Sequence, residues 1–289
     1  MSSDLLVCLA CRVIEPGTIS LQTLERQGDE LACKCGQRYP IVRGVPVIGL
    51  PAAEEVPLDA ARLLNATDDS ELAHLAHHLS TYLDAHWPPR GPLVDKLREL
   101  PPVPLTVELG CNVGGALAVM PGDRLVGIEL SRPTSWRAQA LLDGKTVPYL
   151  RRVIGKHYEP AEAQGIARPA TIVCATALDP PLIPGRFDRV AALNVLDSVT
   201  SPLQLLSVID ALCRPGGEII IACPYQWASE ERLASADPAA ELVQILRGGE
   251  QLRATYTILD EAELDWTLRR NARSLVAYRI HYVRAWKGS

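Results

Sequence analysis

No apolar run in this 289-residue chain approaches the ~20 residues that a helix needs to cross a bilayer. The N-terminus also lacks a basic segment followed by an apolar one, the mark of a secretory leader. Together these absences predict a cytoplasmic protein. An excess of positive charge is missing too: 29 Lys and Arg stand against 34 Asp and Glu, a formal net charge of −5 at pH 7. Nucleic acid as a general partner calls for the opposite balance, because phosphates are contacted by Lys and Arg. What is present is a globular composition, 47% hydrophobic and 22% charged, long enough for one large core plus a small appended unit.

The eight cysteines divide into two sets. Cys111, Cys174, Cys213 and Cys223 stand singly in apolar contexts, where a reduced cysteine behaves as a small hydrophobe. Disulfides do not suit a cytosolic chain. Cys8-Leu9-Ala10-Cys11 and Cys33-Lys34-Cys35 are different, because two close thiol pairs in one short segment match a tetrahedral zinc site. A head of about 50 residues can bury too little apolar surface to fold alone, and a metal supplies what its core lacks. The second pair is Cys-x-Cys, tighter than the usual Cys-x-x-Cys. Its sequel, from Gly36 to Ile48, resembles the small zinc domain that in eukaryotes activates several tRNA and translation-factor methyltransferases as a separate subunit. The head's charges balance, so packing against the rest of the chain is its expected role rather than RNA clamping.

The stretch Thr106-Val107-Glu108-Leu109-Gly110-Cys111-Asn112-Val113-Gly114-Gly115, followed by Leu125-Val126-Gly127-Ile128-Glu129, reads as strand, glycine turn, strand and closing carboxylate. Such a carboxylate suits a ribose diol, so a nucleotide-like cofactor is expected. Glu-x-Gly-x-x-x-Gly departs from the Gly-x-Gly-x-x-Gly that lets a backbone pass a pyrophosphate, which points to S-adenosylmethionine. The stretch resembles motifs I and II of class I, Rossmann-like methyltransferases. That resemblance implies that Glu108 faces the methionine end and Glu129 the ribose hydroxyls, with Gly110, Asn112 and Gly114 in the turn.

Later segments follow the same order. Phe187 to Asp197 resembles the fourth strand and the residues beyond it. Leu205, Leu206, Ile209 and Leu212 have helical spacing, and Arg214-Pro215-Gly216-Gly217 precedes the apolar strand Glu218 to Ala222. One motif is off-pattern. In Ile172 to Pro181, Thr176 stands where the family places an acid that accepts from the adenine amino group. A hydroxyl or a backbone group around Thr176 and Ala177 then takes that role, unless Asp179 reaches back.

Residues 51–57 read as a linker, and Leu72, Leu75, Leu79, Leu83 and Trp87 give residues 59–87 a helical apolar face. His74 and His78 lie one turn apart without a carboxylate cluster nearby, so solvated or capping histidines are expected there. Tyr82-Leu83-Asp84-Ala85-His86-Trp87 is similar to the Tyr-Leu-x-x-His-Tyr segment before the Rossmann core of the mercaptohistidine methyltransferase domain in the ovothiol-forming enzyme. Ala222-Cys223-Pro224-Tyr225-Gln226-Trp227 resembles its Ser-Pro-Tyr-x-Trp. Arg269-Arg270-Asn271-Ala272-Arg273 resembles its Arg-x-x-x-Arg, and His281 to Trp286 fits the closing strand. No sulfoxide synthase region accompanies them.

The fold class expected is α/β: a seven-stranded class I methyltransferase domain over 104–289, a linker and helical lid over 51–103 and a zinc-ribbon-like head over 1–50. The expected activity is S-adenosylmethionine-dependent N-methylation of a small molecule or peptide side chain with an imidazole-type acceptor. Asn194 and Asp197 are the first candidates to hold the acceptor, with helix capping the alternative role for Asp197. Tyr82, His86 and Tyr225 are further candidates for the catalytic site, Tyr82, Tyr225 and Trp227 could wall the pocket, and Asn194 also counts among the expected cofactor contacts. Two alternatives stay open: an RNA methyltransferase with Arg269, Arg270, Arg273, Arg279, Arg284 and Lys287 as its basic face, and a non-catalytic scaffold.

Overall fold

The computed structural model describes residues 3–15, 18–49, 80–248 and 251–288. The histidines at 74, 77 and 78 and the expected linker lie outside the described residues, as does most of the expected lid; residues 80–86 of it are helical.

The head consists of short strands. β1 (Val13–Glu15) pairs with β2 (Thr18–Ser20). β3 (Glu25–Gln27), β4 (Glu30–Ala32), β5 (Arg38–Val42) and β6 (Val45–Pro46) form an antiparallel sheet in that order. Alternation along β5 turns Tyr39 and Ile41 inward.

Helix α1 (Pro92–Arg98) leads into β7 (Leu105–Leu109). There follow β8 (Arg124–Glu129), α2 (Arg132–Leu142), the hairpin β9 (Val147–Ile154) and β10 (His157–Ala163), and β11 (Ala170–Cys174). The chain continues through β12 (Phe187–Leu193), α3 (Pro202–Leu212), β13 (Cys213–Cys223), α4 (Pro238–Gly248), β14 (Tyr256–Asn271) and β15 (Ser274–Lys287). Seven strands make one sheet in the order β11-β8-β7-β12-β13-β15-β14, parallel from β11 to β13 and antiparallel at β15. This is a Rossmann-like methyltransferase topology. All five residues of β7 are buried, as expected of a parallel strand covered on both faces. Because β7 is flanked by both β8 and β12, strand order reverses there, and a crevice opens beyond the C-terminal ends of these strands.

The head docks at the β11 edge. Val47 bridges Cys174 in parallel, Ile48 N–H donates to Cys174 O at 2.9 Å, and Val7 N–H donates to Pro181 O at 2.9 Å. Leu5, Leu6, Leu24, Leu31 and Ile48 belong to the same buried cluster as Leu109, Val173 and Leu182. The C-terminal end of the edge strand is thereby paired at Cys174.

The β9–β10 hairpin has no counterpart in the sequence reading. Arg151 and Arg152 interrupt the apolar alternation of β9, so no strand signal stands out. Ala272 N–H donates to Val153 O at 3.0 Å, tying this hairpin to the β14–β15 turn.

A buried ionic network lies among β12, β13 and β15. Arg189, fully buried, donates to Glu218 at 2.5 Å and to the carbonyls of Pro101 and Pro121, and Glu218 also accepts from Arg284 Nε at 2.7 Å. Lys287 pairs with Asp210 at 2.9 Å. Arg284 and Lys287 therefore leave the six-residue basic face considered for RNA: both are spent inside the sheet. Glu218→Ala strands two guanidinium groups, one in the core, and should cost about 3 kcal/mol or more. Chemical denaturation measures it; a loss below about 1 kcal/mol would mean that the carbonyls alone hold Arg189.

Candidate functional site

A cavity of about 730 Å³ opens at the C-terminal ends of the central strands. β7 stops at Leu109 because Gly110 takes φ 73° and sits where a Cβ would lie 2.7 Å from Val195 Cγ2. No side chain fits at that approach. Asn112 follows with φ 49°, its Oδ1 accepting the Val113 N–H at 2.7 Å. Its own N–H donates to Glu129 Oε2 at 2.9 Å, and Ser131 N–H donates to Glu129 Oε1 at 2.8 Å. The carboxylate that closes β8 is thus fixed by backbone on two sides while still lining the cavity.

Glu108 lines the same end, and its Oε2 is buried with no hydrogen-bond partner. Burial, and secondly the nearby Glu129, push its pKa well above the ordinary carboxylate range. Glu129 is also raised by burial, against which the backbone N–H groups of Ser131 and Asn112 work. A lone buried oxygen facing a cavity calls for a donor. A cationic group at Glu108 and hydroxyl donors at Glu129 meet that need, as the two ends of S-adenosylmethionine do. A cationic ligand favours ionised Glu108, so binding should release a proton and affinity should rise with pH up to the raised pKa. Calorimetry in buffers of different ionisation heat reads this proton release directly. Glu108→Gln should abolish it, and an unchanged release in the variant would exclude Glu108 as its source.

The remaining expected residues separate into two groups. Gly110, Asn112, Thr176, Ala177, Asn194, Tyr82 and His86 line the cavity. Thr176 Oγ1 accepts from Leu178 N–H at 3.2 Å, which turns the loop after β11 along the wall. Asn194 takes φ 53°, donates its N–H to Ala222 O at 2.7 Å and keeps a buried Oδ1 without a partner.

Gly114, Asp197 and Tyr225 do not line it. Gly114 is needed for packing instead, since a Cβ there would lie 2.8 Å from Leu142 Cδ1. Asp179 does not reach back: it pairs with Arg12 of the head. Asp197 neither faces the cavity nor caps α3, whose N-cap is Ser201. Its Oδ2 accepts Gln226 N–H at 2.7 Å and its carbonyl accepts Ala228 N–H at 2.8 Å, so it pins the loop after β13. Tyr225, at φ 56°, sits in that loop with its hydroxyl 2.7 Å from His281 Nδ1, and His281 Nε2 is 3.1 Å from Glu261.

Arg90, Asp265 and Trp266, which the sequence does not single out, line the cavity, and so does Arg269 of the Arg-x-x-x-Arg segment. The last three come from β14, which pairing with β15 carries across from the far edge of the sheet. Alternating polarity around Trp266 is the one signal for Asp265 and Trp266.

In the head, the sulfurs of Cys8, Cys11, Cys33 and Cys35 all lie within 4.8 Å of one another. Cys8 and Cys35 are 3.7 Å apart, Cys11 and Cys33 3.6 Å. Four thiolates around zinc, with bonds of about 2.3 Å, would stand about 3.8 Å apart, so the donor set fits that ion. Tyr39 braces the site, its hydroxyl 3.4 Å from Cys8 Sγ and accepting Leu9 N–H at 3.1 Å.

Residues 107–221, from β7 to β13, match the family model described as "Methyltransferase domain". Over that segment the chain is similar to methyltransferase domains. Over 118 residues it is 30% identical to the chloroplastic tocopherol O-methyltransferase of Arabidopsis thaliana, a match that covers 40% of this chain and 28% of that one. The chain thus spans well under two thirds of this relative. Among solved structures, a chain of the complex between the Haloferax volcanii Trm112 methyltransferase activator and a methyltransferase aligns at 16% identity. That alignment covers 72% of this chain and 92% of that one, with a TM-score of 0.47. The YcgJ protein of Bacillus subtilis aligns at 9% identity over 68% of this chain and 97% of its own, with a TM-score of 0.41.

Proposed function

We propose that this protein is an S-adenosylmethionine-dependent methyltransferase that N-methylates a small molecule or peptide side chain through an imidazole-type nitrogen. The observation that carries the reading is the pair of carboxylates lining the cavity, buried Glu108 with an unpartnered oxygen and half-buried Glu129 held by two backbone N–H groups. Glu108 would take the ammonium of the cofactor and Glu129 its ribose hydroxyls. Gly110 allows main chain to close against it, and Thr176 and Ala177 flank its base. When bound, the cofactor supplies an electrophilic methyl on a sulfonium. The protein's share is then to exclude water and align the acceptor.

A neutral imidazole attacks through one nitrogen while the other keeps its proton. Asn194, which lines the cavity and has a buried, unpaired Oδ1, would accept that proton's hydrogen bond. It takes the role first assigned to Asp197, whose carboxylate is occupied by Gln226. Tyr82 and His86 also line the cavity. The resemblances to the mercaptohistidine methyltransferase and to the methyltransferase-activator domain support this reading, and residues 1–50, 51–103 and 104–289 are taken as head, lid and catalytic domain. Zinc on the four cysteines serves the head's structure.

Incubation of the full chain with labelled cofactor and histidine, thiohistidine or histidine-containing peptides tests the proposal. Transfer to a ring nitrogen is expected, falling below the acceptor's ring pKa, about 6.5 for histidine, as protonation removes the lone pair. Transfer only to a carboxylate, a phenol or RNA would refute the imidazole acceptor and keep the methyltransferase. A chain that binds no cofactor would point to the scaffold reading.

A further inference from the structure

The other half of the cavity wall comes from segments outside the cofactor motifs, residues 82–90 and Asp265 to Arg269 of β14, and it abuts the glycine turn, where a Cβ at Gly115 would lie 2.9 Å from His86 O. Four rings run through this wall as one ladder: Tyr82 to His86 at 5.4 Å, His86 to Trp266 at 5.8 Å, and Trp266 to Tyr278 at 5.0 Å between centroids, with planes within 29° of parallel. His86 and Trp266 are inner rungs, each with a ring on both faces, so they meet the cavity with their edges. Ring edges carry the positive end of the aromatic quadrupole, and they favour the face of another aromatic ring in a T-shaped contact.

Asp84 holds this wall together. Its Oδ2 pairs with Arg269 at 3.1 Å and its Oδ1 accepts from Tyr149 at 3.3 Å, joining the helical segment 80–86 to β14 and β9. Arg269 is therefore neutralised. Arg90 is the other cation of the cavity wall, and its guanidinium donates to the Asp84 main-chain carbonyl at 3.0 Å without pairing with a carboxylate of the described residues. Asp265, the acid of this wall, pairs with Arg279 at 3.8 Å, and Glu108 and Glu129 line the same cavity.

We propose that this half of the cavity is the acceptor subsite and that it takes a small aromatic compound bearing a carboxylate. The ring docks face-on to the edges of His86 and Trp266, and Arg90 anchors the carboxylate. This assignment rests on the methyltransferase reading and narrows its acceptor class.

The test is calorimetry on the full chain with pairs that differ only in the carboxylate: histidine and histamine, tyrosine and tyramine, tryptophan and tryptamine. Each titration is run with and without saturating S-adenosylhomocysteine. In at least one pair the acid should bind about tenfold or more tighter, the size of one charge-assisted hydrogen bond. Arg90→Gln should erase that preference and Arg90→Lys keep part of it, both with cofactor affinity unchanged. Arg90 is exposed, so neither change threatens folding. Trp266→Leu should weaken both members of the pair while Trp266→Phe preserves them. Equal binding of acid and amine, no binding of any acid, or a preference that survives Arg90→Gln would overturn the proposal. A chain that prefers the acids but binds no S-adenosylhomocysteine would sink the cofactor reading and leave the acceptor subsite standing.

Discussion

Stripping metal from the four-cysteine head should unfold that head and weaken the cofactor cavity with it. The thiol pairs at 3.6 and 3.7 Å are spaced for a tetrahedral ion, and binding of zinc to such small domains contributes about 10–16 kcal/mol of apparent folding energy near neutral pH. The head cannot replace this from its own core. It shares that core with β11, and its backbone is bonded to Cys174 and Pro181 on either side of the cavity-lining loop at Thr176 to Leu178. If only ~4 kcal/mol of the metal's contribution reaches the global transition, the melting temperature falls by about 8–16 °C. Cys33→Ser should act like a chelator. Elemental analysis should find one zinc per chain in protein purified without chelator, and thermal melts with and without chelator give the shift. Cofactor affinity should drop in the same samples. Metal-free protein that melts at the same temperature and binds cofactor as well would show that the head stands on packing alone.

The parts of the site that were legible in sequence are those set by short stretches of chain. Glu108, Gly110 and Asn112 lie within five residues, and β8 pairs directly with β7, so Glu129 arrives beside them through one strand register. The cysteine pairs are legible for the same reason. Legibility fails where distant pairing decides. Trp266 and Arg269 come to the cavity through the β13–β15–β14 edge, more than seventy residues after Asn194. Asp197 was misplaced because its partner, the Gln226 N–H, belongs to the loop after the next strand. Arg284 and Lys287 look like an exposed basic tail, yet they sit opposite Glu218 and Asp210, buried acids whose depth no local pattern marks. Charge spacing cannot tell a solvated strand face from an ion pair inside the sheet.

Glu129→Ala should all but abolish binding of S-adenosylmethionine. On the proposed reading its carboxylate accepts from both ribose hydroxyls, and each such charge-assisted bond contributes about 1.5–3 kcal/mol. The side chain has a second duty. It takes the N–H groups of Asn112 and Ser131 at 2.9 and 2.8 Å, so removing it leaves two donors unpaired where the glycine turn and the start of α2 meet. Lost ligand bonds and a loosened turn act in the same direction, and affinity should fall by about 10²- to 10⁴-fold, from two bonds at ~1.4 kcal/mol per factor of ten. Glu129→Gln separates the two duties. Its amide oxygen can still accept from one backbone N–H and one hydroxyl, so it should retain the fold of the turn and lose about tenfold or more in affinity, the cost of charge. Calorimetry with the cofactor on wild type and both variants, alongside thermal melts, gives the comparison. Wild-type affinity in Glu129→Ala would remove the ribose assignment, and with it the case for placing the cofactor at this end of the cavity.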